Sequence, residues 1–288
     1  MNNVKVSIIM STFNDSAYIK LAIDSVLQQT FSNWEFIIIN DASSDKTEEI
    51  VENFAKQDKR IRYYKNVKNK GLVANLITGV YKANGEYIAR IDGDDEWVNK
   101  NKLKQQITFL EKNQDYGLVG AWANIIDTAG NQILKTKNPV NDIDIRNYIL
   151  IENCFFHSSV VIRKKVLDKV GGYNISIKTA EDYELWLKIG LASKIYNIPA
   201  CLINYRINPN GINSTMYNTQ LNETIKIIQT FKYYYPNYFL SLILWYMRKY
   251  VPPKIKLLAS DLLKNEYILE NIRSLKKLFL SMHYNLSL

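Results

Sequence analysis

Three short polar clusters hold the residues that could do chemistry. They are Ser11-Thr12-Phe13-Asn14-Asp15, Asn40-Asp41-Ala42-Ser43-Ser44-Asp45 and Asp92-Gly93-Asp94-Asp95, and each follows an apolar run directly. Three carboxylates within four residues repel one another in a partly dry site unless a cation holds them. Hard oxygen ligands suit Mg²⁺ or Mn²⁺, which typically bridge one or two carboxylates to a substrate diphosphate. An acidic surface turn would also read Asp-Gly-Asp-Asp; the apolar run before it and the two companion clusters favour the metal. Asp41 can accept from a base N–H or a ribose hydroxyl. Helix capping is its other use, and Ser43, Ser44 and Asp45 already supply that.

A fourth candidate is Asp182, in Ala180-Glu181-Asp182-Tyr183-Glu184-Leu185-Trp186-Leu187. Helical spacing puts Asp182 on one face with Leu185, Trp186 and Ile189, and Glu181, Glu184 and Lys188 on the other. An inward carboxylate against an apolar wall has a raised pKa and suits a general base. Complementing the helix dipole is the simpler use for an acid in a first turn. His157 stands among aromatics in Phe155-Phe156-His157-Ser158-Ser159, a setting for a hydrogen-bonded structural residue or a ligand. Arg206 follows an apolar strand and fits either a bidentate diphosphate clamp or an ordinary surface arginine. His283 reads as surface.

The elements that must position these groups alternate in period. Val4–Met10, Trp34–Asn40, Arg60–Lys65 and Glu86–Ile91 read as strands, the first two as runs buried on both faces. Between them lie helices around residues 19–27, from about residue 44, and over Val73–Ala83. This order implies an α/β fold with a doubly wound, mostly parallel sheet, in which ligands bind outside the carboxyl ends of the strands. The three clusters sit at those ends. Further on, Lys102–Lys112 and Glu181–Leu191 read as helices, and Gly117–Asp127 and Ser158–Arg163 as strands. A boundary is expected near residue 215, separating a catalytic domain (1–215) from a helical, basic and aromatic region (216–288).

Composition supports a globular chain: of 288 residues, 47% are hydrophobic and 23% charged. Cys154 and Cys201 have no metal or redox spacing, so they read as free thiols in a reducing compartment. No charged leader with a cleavage site opens the sequence, and the longest apolar run, Tyr238–Met247, is too short to cross a bilayer. A cytoplasmic protein is expected. Of the net charge of +9, residues 226–288 supply +7, from ten Lys/Arg against three acids. The aromatic and cationic segments 231–235 and 238–250 fit either a membrane interface with anionic lipid or packing onto protein. The basic residues form no nucleic-acid-binding module. No GxGxxG follows the first strand, which excludes a dinucleotide-dependent oxidoreductase. No glycine-rich, lysine-bearing loop supports a nucleotidyltransferase. A non-catalytic nucleotide-sugar-binding protein remains an alternative, although binding alone has no need of Asp182.

Together the segments SIIMSTFND, QQTFSNWEFIIINDASSD, NKGLVANLITGVYKANGEYIARIDGDDEW, FFHSSVVIRKKVLDKVGGY and AEDYELWLK resemble family 2 glycosyltransferases of the GT-A fold, from Val4 to about Ser214. The resemblance implies inversion by one in-line displacement from a nucleotide-sugar donor, usually a UDP-sugar. It implies that Thr12, Phe13 and Asp41, with the adjoining Asn14, hold the nucleoside. Asp92 would lie near the ribose, Arg90 and Arg206 would meet the donor, and Asp94 would ligate Mn²⁺ or Mg²⁺. Asp182 would deprotonate the acceptor hydroxyl, and His157, Glu181 and Trp186 would be further contacts to acceptor or donor. The acceptor implied is a glycan or lipid-linked glycan of a bacterial surface polysaccharide or lipooligosaccharide, with peripheral contact to the inner face of the cytoplasmic membrane through the C-terminal region. Two positions depart from the family pattern. Ser11 stands where proline is common, and Tyr205-Arg206-Ile207-Asn208 replaces Tyr-Arg-x-His, which implies a weaker hold on metal or diphosphate.

Overall fold

A computed structural model describes residues 4–250. The basic residues from Lys254 to Lys277 and His283 lie outside the described residues. Strands β1 (Val6–Thr12), β2 (Trp34–Asn40), β3 (Ile61–Lys65) and β4 (Tyr87–Arg90) alternate with helices α1 (Ile19–Leu27), α2 (Thr47–Gln57) and α3 (Leu72–Lys82). There follow α4 (Lys102–Lys112), β5 (Tyr116–Ile126), β6 (Gln132–Lys135), α5 (Asp142–Tyr148), β7 (Val161–Arg163) and α6 (Lys164–Lys169). The last elements are α7 (Glu181–Ala192), β8 (Lys194–Arg206), α8 (Ile212–Thr215), α9 (Tyr217–Thr230) and α10 (Tyr238–Tyr250).

The sheet order is β3-β2-β1-β4-β7-β5-β6, with β8 beside β5. The first four strands are mutually parallel, β7 opposes both its neighbours, and β8 runs parallel to β5. Alternation along the strands divides the core in two. Ile9, Ile37, Ile39 and Ile88 face α3 and α7, whereas Ile8, Met10, Phe36, Ile38 and Ala89 face α1 and α4. Runs buried on both faces are what a parallel sheet between helix layers requires. Three starts move by two or three residues: the first strand begins at Val6, not Val4, the second helix at Thr47, not about residue 44, and the strand expected from Ser158 at Val161, because 157–159 forms a tight 3₁₀ turn.

Register sets the crevice. Thr12 pairs with Asn40, and Asn40 with Lys65, so the first three strands end level and their following loops meet. The C-terminal helices share the main core, since Ile227, Ile228, Phe231 and Tyr235 pack with Leu187 and Ile189 of α7. Gly190 makes room for this: a Cβ there would stand 2.3 Å from the Tyr235 hydroxyl, which donates to Leu187 O at 2.7 Å. No helix among the described residues is long and apolar enough to cross a membrane.

Candidate active site

The loops after β1 and β2 are laced together by short polar side chains. Asn14 N donates to Ser43 Oγ at 3.0 Å, and Ser44 N donates to Asn14 Oδ1 at 2.9 Å. Ser16 N donates to Asp45 Oδ2 and Thr47 N to Asp45 Oδ1, both at 3.0 Å. Burial opposes ionisation, but the bonds from Ser16 and Thr47 hold the Asp45 carboxyl down at about 2. Thr12 is buried and Phe13 half exposed at the lip. Asn14 sits at φ 57°, a left-handed turn that asparagine tolerates. Asp41, 2% exposed, accepts from Asn66 Nδ2 (2.7 Å), Lys70 N (2.9 Å) and Gly71 N (2.9 Å). It thereby ties the 66–71 loop to the end of β2.

The acidic turn after β4 faces these loops. Asp92 Oδ1 accepts from Arg90 Nη2 at 2.5 Å and Asp92 Oδ2 from Ser158 Oγ at 3.1 Å. Burial works against ionisation of Asp92, but Arg90 and these bonds hold its carboxyl below the ordinary range. Asp94 is raised by burial and then by Asp92. Asp15, bonded to Thr12 Oγ1 at 2.7 Å, is pushed up to about 7 by burial, then by Asp94. Such shifts mark acids brought together with too little positive charge. Asn208 Nδ2 donates to Asp94 Oδ2 at 3.0 Å, so the residue that departs from the family pattern stands on the expected metal ligand.

These groups fit a hard divalent cation. Asp94 and Asp15 offer oxygens with no ion-pair partner among the described residues. No three His, Cys, Asp or Glu side chains converge to cage an ion by themselves among the described residues. That suits an ion held by one or two carboxylates and completed by substrate phosphates and water.

Asp182 lies in the first turn of α7. Burial raises it to about 6, against Tyr183 N (2.6 Å) and Asn153 Nδ2 (3.2 Å), which favour the charged form. The fields of Asp92 and Arg90 reach it, so the base candidate and the acidic turn belong to one electrostatic neighbourhood.

Residues 7–171, more than half of the chain, match the family described as Glycosyl transferase family 2. The chain belongs to the family 2 glycosyltransferases. Over 221 residues it is 32% identical to the UDP-Glc:alpha-D-GlcNAc-diphosphoundecaprenol beta-1,3-glucosyltransferase of Escherichia coli, covering 75% of this chain and 83% of that one. In fold it is similar to Staphylococcus aureus TarS in complex with UDP-GlcNAc (TM-score 0.63, 19% identity), over 78% of this chain and 66% of that one. It is also similar to the mannosyltransferase of Pyrobaculum calidifontis in complex with GDP-Man and Mn²⁺ (TM-score 0.65, 16% identity), over 98% of this chain and 87% of that one. The fold is therefore of the GT-A type, and the protein is a glycosyltransferase that uses a nucleotide-sugar donor.

Four residues of this glycosyltransferase stand differently from expectation. Arg90 is 1% exposed and bonds Asp92 and the carbonyls of Ile9 and Ile91. It acts on the crevice through Asp92 and does not present itself to a donor. Arg206, 4% exposed, donates to Asp94 O (2.9 Å), Asp127 O (3.1 Å), Thr128 O (3.3 Å) and Glu96 Oε1 (2.5 Å). With its donors so engaged it braces the acidic turn and cannot clamp a diphosphate. Trp186 is fully buried and backs His157 at a 5.7 Å ring distance, so it is no substrate contact. Glu181 is also buried, and burial followed by Asp182 lifts it to about 8. It was expected on the outer face, but α7 is enclosed on nearly all sides, which removes the division into two faces.

His157 shares a 2.7 Å hydrogen bond with the Tyr173 hydroxyl, and its Nδ1 stands 3.9 Å from Glu181 Oε1. Burial, then Arg90, drives His157 down to about 3, so a neutral imidazole lies beside a mostly protonated carboxyl. Asp15 is the site residue to which the sequence pattern assigned no role. Its one signal is that it is the only acid in the cluster after the first strand.

Proposed function

We propose that this glycosyltransferase moves a sugar from a UDP-sugar to a hydroxyl of a lipid-linked glycan, inverting the anomeric carbon, with a divalent cation at Asp94 and Asp182 as the base. What supports it is that two unlike acidic groups flank Asp92 in one electrostatic neighbourhood. Asp94 and Asp15 have no ion-pair partner among the described residues, and Asp182, within the field of Asp92, is poised at about 6. A base with a pKa near working pH is deprotonated yet still basic enough to accept a proton in the transition state.

Asp182 takes the acceptor hydroxyl proton as that oxygen attacks the anomeric carbon, and the bond from that carbon to the diphosphate oxygen breaks. Mn²⁺ or Mg²⁺ bound at Asp94 would neutralise charge on the departing diphosphate. Thr12, Phe13, Asn14 and Asp41 line the nucleoside end, with Asp92 near the ribose. The E. coli relative's name supports a UDP-sugar donor and a lipid-diphosphate acceptor. Peripheral membrane contact would use the outer face of α10, where Phe239, Ile243 and Tyr250 are 77%, 58% and 64% exposed.

A thermal-shift screen of UDP, GDP, CMP and dTDP, each with Mn²⁺ and with EDTA, tests the donor and metal assignments. A shift with UDP that requires Mn²⁺, and that Asp94→Ala removes, is expected. An equal shift in EDTA contradicts the metal assignment, and a shift with another nucleotide alone contradicts the donor.

A further inference from the structure

Helix α7 begins without a cap of its own. Ala180 precedes its first residue with no side-chain hydrogen bond to the helix, so the segment that delivers Asp182 must be held from elsewhere. It is held by α9. Glu223 accepts from Lys178 N (Oε1, 3.0 Å; Oε2, 3.2 Å), from Thr179 N at 2.8 Å and from Thr179 Oγ1 at 2.7 Å. Gln220, one helical turn earlier on the same side of α9, donates to Thr179 O at 3.0 Å. The N–H groups and the carbonyl of a two-residue stretch are thus gripped by two side chains of one helix.

The grip reaches the donor side as well. Gln220 Nε2 also donates to Asn213 Oδ1 at 2.8 Å, and Asn213 Nδ2 to the Tyr205 hydroxyl at 2.5 Å. Tyr205 precedes Arg206 and Asn208, the two residues fastened to Asp94. A polar chain therefore links the segment bearing the metal-side residues, through α9, to the segment bearing the base. Helix α9 lies beyond the residues that match the family.

We infer that Glu223, seconded by Gln220, is a positioning residue that sets the place of Asp182 relative to the donor site. The inference rests on the assignment of Asp182 as the base. Charge-assisted bonds to backbone N–H groups are the stronger kind, and a displacement of about 1 Å in a catalytic group can cost about a hundredfold in rate.

The test uses the whole chain as wild type, Glu223→Ala, Glu223→Gln and Asp182→Asn. Amide hydrogen exchange is followed across the molecule, with UDP release from UDP-glucose in Mn²⁺ measured in parallel. In both Glu223 variants exchange over residues 178–184 is expected to rise about tenfold or more, with β1–β4 unchanged. Their kcat is expected to fall about ten- to a hundredfold with donor KM within about twofold. Unchanged exchange at 178–184 overturns the clamp. Faster exchange with unchanged kcat overturns its role in catalysis. Should Glu223→Ala lose exchange protection everywhere, Glu223→Gln, which keeps the shape, decides. Wild-type turnover by Asp182→Asn would remove the base assignment instead, and the exchange data would still report on the clamp, so the two failures read differently.

Discussion

A Cβ added at Gly93 would stand 2.4 Å from Asp15 Oδ2 and 2.9 Å from its Cγ. The acidic turn after β4 and the loop after β1 therefore close on each other at a point where no side chain fits. Asp15 cannot retreat freely, since Thr12 Oγ1 and Phe13 N hold the same oxygen.

Gly93→Ala should force the two loops apart. Overpacking of this kind costs about 1–3 kcal/mol, and UDP affinity in Mn²⁺ should fall with it. A urea melt and a UDP titration check both. Wild-type values in the two measurements would show that the loops are looser than this contact implies.

The buried acids give stability an unusual slope with pH. Glu181, at about 8, and Asp182, at about 6, bind protons more tightly folded than unfolded, where acids titrate near about 4. Their contribution is full below about pH 4 and is lost as pH rises through about 8. Asp45, held at about 2, and His157, at about 3, have the opposite sign; the first contribution is complete by about pH 5 and the second by about pH 7. Asp15, at about 7, adds to the loss and outweighs what His157 still gains above about pH 5. The thermal midpoint without added metal should therefore decline from about pH 5 to 8, and Glu181→Gln should flatten that decline. An identical slope in the variant contradicts the burial assigned to Glu181.

Arg206→Lys keeps the charge but cannot reach Asp94 O, Asp127 O, Thr128 O and Glu96 together. Destabilisation of about 2–4 kcal/mol is expected, because buried acceptors are left without donors. UDP binding should weaken even though Arg206 touches no ligand. Chemical denaturation gives the first number and a UDP titration the second. Unchanged stability with weakened binding would restore Arg206 to the donor contact its sequence position implied.

Local features of the sequence translate directly into structure. The bounds of β2 and α4 follow from apolar periodicity alone. The three polar clusters do meet, the first two because β1 and β2 end level and the third because Gly93 closes on Asp15. What the pattern concealed depends on enclosure. A face assignment works for a helix half covered, and it failed for Glu181 because α7 is wrapped by α9, β8 and the core. Arg90 and Arg206 look like ligand-binding cations in sequence, yet Arg90 is consumed by Asp92, Ile91 O and the distant Ile9 O, and Arg206 by carbonyls and a carboxylate from distant segments, such as Asp127, that no local spacing reveals. Asp15 gained its place from Gly93, far along the chain. The grip of Glu223 on residues 178–179 is likewise a contact between helix and loop that periodicity cannot encode.

Asp182→Asn is the measurement that bears most directly on the proposed chemistry. The variant preserves shape and can still accept from Tyr183 N, but it cannot take a proton. With the UDP-sugar that the wild type turns over, kcat should fall about 10²–10⁴-fold, while UDP affinity in Mn²⁺ stays within about twofold. Turnover at the wild-type rate with binding intact would contradict Asp182 as the base.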